Sequence, residues 1–394
     1  MFVDLDLVDY NIKRLVNMAK PSGKTIRVAT KSIRCAKLID RILKRGKGVM
    51  KGLMTYSVRE AKFLADEYNM DEFYIPYPTV QHTDLSLTYD MTQKGKWICL
   101  TVDSPEHVEI ISQRIQEIAT EKSDENPKPI RVAIDLDMSF RFGSMQLGPH
   151  RSKCKSVNDF AKVVEAVEES LYLTLSGIMG YEGHVAGLPD NNPHSTIPNF
   201  IIRFIKAIFF QQNVKFRRKI AEYCLANEIK IEFFNGSGSG NLKNACADDA
   251  VLTEVTAGSA FLQGQLFDYF VDNECMGAFC FGLQCTRVHC DYITCQSGGF
   301  IASGPCCADK NPKPFGNPLH LTPYKDEGFG EVQTPLQIKG KSKIKGDIKV
   351  GDPLFFRPAK SGEIAEHFQE YHLKRDYKIT GTAKTYRGYG HVFY

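Results

Sequence analysis

Lys31 follows directly on a buried-type run, Ile26–Thr30, and further chemically capable residues stand at the ends of comparable runs. An amine placed immediately after a buried strand faces the rim of whatever the strands enclose. Loss of water there lowers its pKa and frees it to condense with an aldehyde. The plain alternative is a lysine whose head reaches solvent. The run Ile130–Asp135 is followed by Asp137 and then Phe140-Arg141-Phe142-Gly143. The planar guanidinium of Arg141 fits a substrate carboxylate or a cofactor anion, or else pairs with Asp135 or Asp137. Gly180-Tyr181-Glu182-Gly183-His184 sets ring-contact and proton-handling groups, Tyr181 and His184 among them, on one glycine-flanked loop. Two glycine loops complete the set, Gly236-Ser237-Gly238-Ser239-Gly240 and Gly258-Ser259. Loops of this kind let backbone N–H groups converge on an anion.

The elements that must position these residues alternate along the chain. Short apolar runs at Ile26–Thr30, Val49–Thr55, Glu72–Pro76, Lys96–Val102, Ile130–Asp135, Leu173–Gly180, Ile229–Phe234 and Leu252–Val255 read as strands. Several are continuously apolar, as expected of parallel strands covered on both faces. Helical patterns lie at Cys35–Arg45, Ser57–Tyr68, Pro105–Thr120, Val157–Ser170 and within Ile197–Asn227, and Leu7–Met18 precedes the first strand. Ser57 and Glu60 have capping-box spacing. Eight such units within residues 1–264 predict a (β/α)8 barrel of TIM type, with an open doubly wound sheet as the alternative. Residues 265–394 carry short β-type runs, Phe279–Leu283, Val288–Thr294, Phe300–Ala302 and Leu354–Arg357, between turns such as Asn311–Asn317 and Gly346–Asp347. Only Gly362–His372 reads as helical there. This predicts a separate β-rich C-terminal domain.

Composition narrows the function. The 394 residues are 43% hydrophobic and 24% charged with a net charge of +4, which suits a globular chain and gives no case for nucleic-acid binding. The basic stretch Lys339–Lys349 reads as a solvated loop. No run of membrane-span or signal-peptide type occurs, so the expectation is a cytoplasmic protein without a membrane partner. The 12 cysteines include Cys275, Cys280, Cys285, Cys290 and Cys295, spaced five apart, with no metal-ligand or disulfide pattern. They read as reduced, mostly buried small residues.

In a barrel the catalytic groups lie at the carboxyl ends of the strands, and phosphate binds after strands seven and eight. A lysine after strand one with two glycine loops in those positions suits a cofactor carrying an aldehyde and a phosphate, pyridoxal 5'-phosphate. The chain also resembles the fold-type III pyridoxal-phosphate enzymes, which include alanine racemase, D-threonine aldolase and D-serine dehydratase. The resemblance rests on Val3-Asp4-Leu5-Asp6 with Asn11-Ile12, Lys31-Ser32, Asp135 through Gly143, Gly180 through His184, Gly236–Gly240 and Val255-Thr256-Ala257-Gly258-Ser259. In the C-terminal part it rests on Glu327-Gly328, Gly330 through Pro335, Ala359 through Glu363 and Thr385-Tyr386-Arg387-Gly388, which are similar to the branch labelled amino acid deaminase/aldolase.

The resemblance implies Lys31 as the Schiff-base lysine and Tyr181 near the cofactor ring. It further implies that the backbone of Gly236–Gly240 and Gly258–Ser259 holds the phosphate. The implied reaction is lyase chemistry, aldol cleavage or dehydration, on a D-β-hydroxy amino acid. An amino-acid racemase and a non-catalytic protein of cofactor homeostasis are the rival functions. It also implies a homodimer in which residues around Gly304-Pro305-Cys306 and Arg357–Glu363 complete the partner's site. The relatives' His-x-Cys metal pair follows a Gly-Asp turn; here Gly351-Asp352 leads to Arg357-Pro358-Ala359-Lys360, and no metal ligand is assigned. Glu363 with His367 has helical ligand spacing but reads as a surface face. Tyr269 is the nearest tyrosine to a second racemase base, without a motif to license it.

Overall fold

The computed structural model describes residues 1–143, 145–304, 307–316, 320–339 and 348–394, with Phe142 and Met145 described by backbone alone. Eight parallel strands close into a barrel: Thr25–Ala29, Met50–Met54, Glu72–Ile75, Trp97–Val102, Ile130–Asp135, Leu173–Gly180, Phe233–Gly236 and Glu254–Ala257. The eighth pairs back onto the first, Val255 opposite Ile26, which rules out the open sheet. The seventh and eighth strands lie a few residues later than the apolar runs suggest. Ile229 and Ile231 pack against the core from the preceding loop, so apolarity marked burial there rather than extension.

Helices Ala36–Arg45, Val58–Tyr68, Pro105–Glu121, Val157–Glu169 and Asn199–Ala226 wrap the barrel, and Leu5–Ala19 precedes it. One helix, His82–Gln93, has no clear sequence signature. Its buried face mixes Thr88 and Thr92 with Leu85 and Tyr89, and threonines do not draw an apolar stripe. Inside the barrel the fully buried Arg27 donates to Glu254 at 2.7 Å and Glu72 at 2.9 Å. Its guanidinium stacks near Phe233 and Trp97, so a charged layer replaces part of the apolar filling.

The C-terminal residues form a nine-stranded sheet. Phe2–Asp4 sits inside it, antiparallel to Phe279–Val288 and parallel to Glu370–Arg375, so the chain's first strand belongs to the second sheet and not to the barrel. Phe300–Ala302 is not a strand. Gly362–His372 is not one helix: a 3-10 turn at Glu363–His367 precedes the strand Glu370–Arg375. Tyr371 and Leu373 point inward with exposed or half-buried neighbours between them, a period of two that favours a strand. The turn Gly346–Asp347, most of the stretch Lys339–Lys349 and the end of Asn311–Asn317 fall outside the described residues.

The end of the chain folds back over the helix Val58–Tyr68. Tyr386 donates to Glu60 Oε1 at 2.7 Å, and the hydroxyls of Tyr68 and Tyr389 meet at 2.7 Å. Phe63 packs among Tyr386, Tyr389, His391 and Phe393. Ser57 Oγ caps the helix through Glu60 N, as the spacing suggests, while the Glu60 carboxylate accepts from Tyr56 N instead. Burial pushes the Glu60 carboxyl up to about 7, against the hydrogen bonds it accepts.

Glu60 therefore binds its proton more tightly folded than unfolded. Its stabilising contribution is present below its unfolded pKa and is lost as pH rises through about 7. Across that window the unfolding free energy should fall by roughly 3 kcal/mol from this group. Thermal denaturation of Glu60→Gln should show a flatter pH dependence there than the unaltered protein. An equally steep profile in the variant would assign the slope to other groups.

Candidate active site

A cavity of about 450 Å³ opens at the carboxyl ends of the barrel strands, and Lys31 stands in it. The residue lies on a 3-10 turn, Thr30–Ser32, that leaves the first strand. Its Nζ is 2.8 Å from Tyr77 Oη and lies 5.6 Å from the centre of that ring. The side chain touches the open cavity although protein surrounds it on most sides. That surrounding mass pulls the amine's pKa down, but the Tyr77 phenol, through its charge and hydrogen bond, and Tyr181 outweigh it and leave Lys31 raised. The lowered pKa expected from desolvation is therefore overturned by a phenol that position alone did not reveal. Tyr181 is itself raised by burial, with Lys31 and Arg151 opposing.

The two glycine loops face Lys31 across the cavity, with Ser237, Gly238, Ser239, Gly258 and Ser259 on its wall. Ser239 Oγ accepts from Gly258 N at 3.4 Å and from Ala260 N at 3.2 Å, so two backbone donors already converge on one oxygen. Ser259 Oγ donates to Ser32 Oγ, tying the loop to the turn of Lys31. A Cβ on Gly238 would come 3.1 Å from Tyr181 Cε2 and 3.2 Å from Ala186 Cβ, so the missing side chain makes room for the tyrosine ring. Gly236 and Gly240 do not line the cavity. Gly236 packs under Arg217 and Leu252, and Gly240 lies against the Ala186 carbonyl and Phe270.

A buried ion cluster shapes these loops. Arg217, from the helix Asn199–Ala226, donates to Glu182, to Asp249 at 2.7 Å and to the Gly180 carbonyl at 2.6 Å. All three charged side chains are fully buried. Glu182 in turn accepts from Ser237 N at 3.2 Å and Asn241 Nδ2 at 2.8 Å, and Asn241 Oδ1 accepts from Gly238 N at 3.0 Å. One guanidinium thus sets where the sixth strand ends and how the glycine loop turns. Glu182 holds the scaffold and does not handle protons in the cavity.

Two expected residues lie elsewhere. Arg141, on the hairpin Phe140–Phe142 and Met145–Leu147, pairs with Asp137 at 3.0 Å and Gln146 at 2.9 Å and does not reach the cavity. His184 sits on the short helix Gly183–Ala186 against Phe209 and Gly148, with both ring nitrogens unpartnered and burial lowering its pKa. Two residues that sequence reading missed take their places. Tyr77 directly follows the third strand and its Pro76, and Arg151 returns to the mouth after the hairpin, its guanidinium 5.6 Å from the centre of the Tyr181 ring.

The second domain of the same chain closes one side. Ser303, Lys360, Gly362 and Glu363 line the cavity. Gly362 lies against the Lys31 carbonyl, with no room for a Cβ, and Ser361 Oγ donates to Ser32 O at 2.7 Å. Of residues 357–363, Lys360, Gly362 and Glu363 line the cavity of their own chain, because the short Ser361–Gly362 segment packs directly on the Lys31 turn. Pro305 and Cys306 lie outside the described residues. Glu363 accepts from Ser303 N at 2.8 Å, while His367 packs on Phe300, so the two do not form a ligand pair. Tyr269 is buried behind the wall beside Lys313 and His194. Arg357 is bound to Asp268. Among the described residues the one convergent trio of His, Cys and carboxylate is His289, Cys290 and Asp291, all exposed and remote from Lys31's wall.

Removing Arg217 would strand two buried carboxylates. Arg217→Met should destabilise the protein by about 3–5 kcal/mol, read as a lower denaturation midpoint with an unchanged slope. A loss below about 1 kcal/mol would show that Glu182 and Asp249 do not depend on this cation.

No family model and no curated protein matches the chain. Solved structures do match across nearly its whole length. D-threonine aldolase from Filomicrobium marinum superposes with a TM-score of 0.77 at 15% identity, covering 98% of this chain and 94% of that one. D-threo-3-hydroxyaspartate dehydratase from Delftia sp. HT23 gives 0.72 at 14% identity, covering 98% and 96%. Alanine racemase of Clostridium difficile 630, in complex with cycloserine, gives 0.61 at 16% identity, covering 97% of each chain. The chain therefore has the fold shared by these three enzymes, a (β/α)8 barrel followed by a β-rich domain, as the resemblance in its sequence implied.

Proposed function

We propose that this chain is a cytoplasmic pyridoxal-phosphate enzyme that cleaves or dehydrates a D-configured β-hydroxy amino acid. One observation carries the reading: a hydrogen-bonded lysine amine and Ser239, whose Oγ accepts from two backbone N–H groups, share the wall of one cavity of about 450 Å³. The residues present fit the cofactor. Ser239 Oγ already occupies the point where the N–H groups of Gly258 and Ala260 meet, and a phosphate oxygen has the same acceptor chemistry. Lys31 would carry the covalent link, Ser239, Ser259 and the Gly258 backbone the phosphate, and Tyr181 a wall of the ring site.

When bound, pyridoxal phosphate supplies an electron sink for the charge left on the substrate α-carbon. The protein's own groups do the rest. Tyr77 Oη accepts from Lys31 Nζ and so orients the amine into the cavity. Arg151, with no ion pair among the described residues, is free to take the substrate carboxylate. Ser303, Lys360 and Glu363 cover the mouth and exclude water from the lysine. A second domain reaching into the cavity also favours catalysis over a purely cofactor-holding role. No step is assigned to a metal.

The racemase reading is favoured by one specific feature. Lys360 is a second amine in the cavity, its pKa lowered chiefly by burial, and it donates to Ser303 O at 2.7 Å. Incubation with D-threonine, D-serine and D-alanine separates the readings through their products: aldehyde, keto acid or racemate. Support for a cytoplasmic setting is the burial of Cys35, Cys99, Cys154, Cys224 and Cys246, which suits reduced thiols packed as small apolar residues. We also propose a homodimer. Phe200, Phe204 and Ile208 form an exposed apolar stripe along the long helix. Phe204→Lys should shift sedimentation toward the monomer if this stripe is the interface.

Protein loaded with pyridoxal phosphate should show the visible absorbance of a lysine-linked cofactor, and Lys31→Ala should lack it while staying folded. Gly238→Val, which drives a branched side chain toward Tyr181, should weaken cofactor affinity by about tenfold or more. Colourless protein after reconstitution would end this reading.

A further inference from the structure

A second cavity of about 320 Å³ adjoins the first, between the ends of the fourth and fifth strands. Tyr77, Arg151 and Tyr181 belong to both walls, so the two spaces share a boundary. The far wall carries Asp103 and Asp135, which are 7% and 8% exposed. Asp137, beside them, is already satisfied by Ser139 N and Arg141.

Asp135 is the unusual member. Among the described residues its carboxylate accepts no hydrogen bond and forms no ion pair, although it is more than nine-tenths buried and faces the cavity. Asp103 has only His107, at 3.2 Å, and its Oδ1 is buried. Burial first, and then Asp103, push the Asp135 carboxyl well above the usual carboxylate range, with Arg151 opposing. An unpaired buried carboxylate is costly, and proteins ordinarily supply a partner. No third carboxylate, imidazole or thiolate converges with these two among the described residues, so the donor set suits an organic cation better than a metal ion.

We propose that this cavity is a side-chain subsite for a cationic group, an ammonium or guanidinium, on the amino acid held at Lys31. The inference rests on the function proposed above for the Lys31 cavity and names the substrate class: D-β-hydroxy amino acids whose side chain ends in a basic group, for which D-ornithine and D-lysine serve as non-reacting analogues. Asp135 supplies the charge partner at the end of the chain, with Asp103 reinforcing the field. Arg151, at the boundary, repels the cationic end from the first cavity and leaves the carboxylate end there. The two ends of a basic amino acid are thereby distinguished by sign.

Two titrations test this. In cofactor-free protein, calorimetry with 1,5-diaminopentane should show binding, with none for 1,5-pentanediol, and Asp135→Asn should weaken the diamine at least about tenfold. In cofactor-loaded protein, D-ornithine or D-lysine should perturb the absorbance at concentrations about tenfold lower than D-norleucine. That advantage should vanish in Asp135→Asn while D-norleucine is unaffected. A basic amino acid no better than D-norleucine, or an advantage that survives both Asp135→Asn and Asp103→Asn, overturns the proposal. Should Asp135→Asn fail to fold, Asp103→Asn decides through the same ratio. Protein that takes up no pyridoxal phosphate yet binds the diamine through Asp135 would remove the proposed reaction and leave the subsite standing.

Discussion

The active end of this barrel is organised around one buried guanidinium. Arg217 comes from the middle of a 28-residue helix outside the barrel and reaches the junction of three loops. It fixes Glu182 after the sixth strand and Asp249 before the eighth, and through Glu182 it fixes the backbone of Ser237. A buried charge of this kind is not an efficient source of stability, because desolvation offsets most of the attraction. Its value lies in geometry. The ends of the sixth and seventh strands and the segment before the eighth are held to one centre, and the glycine loop is left with few alternative shapes.

Lys31 is constrained from the other side by the second domain. Its carbonyl accepts from Arg34 Nε at 3.0 Å and packs on Gly362, and the next residue accepts from Ser361. Arg34 lies over the adjoining rings of Tyr56 and Tyr394 and pairs with Glu366. The lysine turn is therefore wedged between the barrel and residues that come hundreds of positions later. The first strand of the chain makes the reverse exchange, joining the second sheet at Phe2–Asp4. The second unit is therefore discontinuous in sequence, built from the chain's first strand and its last third. A lysine that must present its amine in one orientation gains from being held by both units.

What could be read from the sequence follows from which features are local. The eight strands were legible because both their faces are buried, which writes a run of apolar letters such as Ile130–Asp135. Lys31 and the glycine loops were legible because a barrel sends the residues after its strands into one mouth. Tyr77 satisfies the same rule, directly after Ile75 and Pro76, yet a single tyrosine has no pattern to distinguish it. Arg151 obeys no rule of spacing. The chain leaves the fifth strand, makes the hairpin that carries Arg141 outward, and only then returns, so the arginine nearer the strand is not the one on the cavity wall. Arg217 lay in a helix whose periodicity cannot show that one polar position is fully buried. The packing of Ser361 and Gly362 on the Lys31 turn was not legible either, because it joins positions more than 300 residues apart with no pattern to link them.

The distribution of charge across the mouth gives these pieces a common logic. Lys31, Arg151 and Lys360 line the first cavity together with converging backbone N–H groups, while Asp103 and Asp135 line the adjoining one. In water such charges would be screened at their separation, but the low-dielectric walls of a cleft preserve their field. A ligand entering this mouth meets opposite signs at its two ends. The unpaired state of Arg151 and Asp135 follows from the same arrangement. The two form no ion pair among the described residues, so Arg151 keeps its charge for a ligand, while a cationic group entering the second cavity would favour the charged form of Asp135, which burial opposes. Had they closed into an ion pair, the boundary between the two cavities would be sealed and both walls would lose their charge.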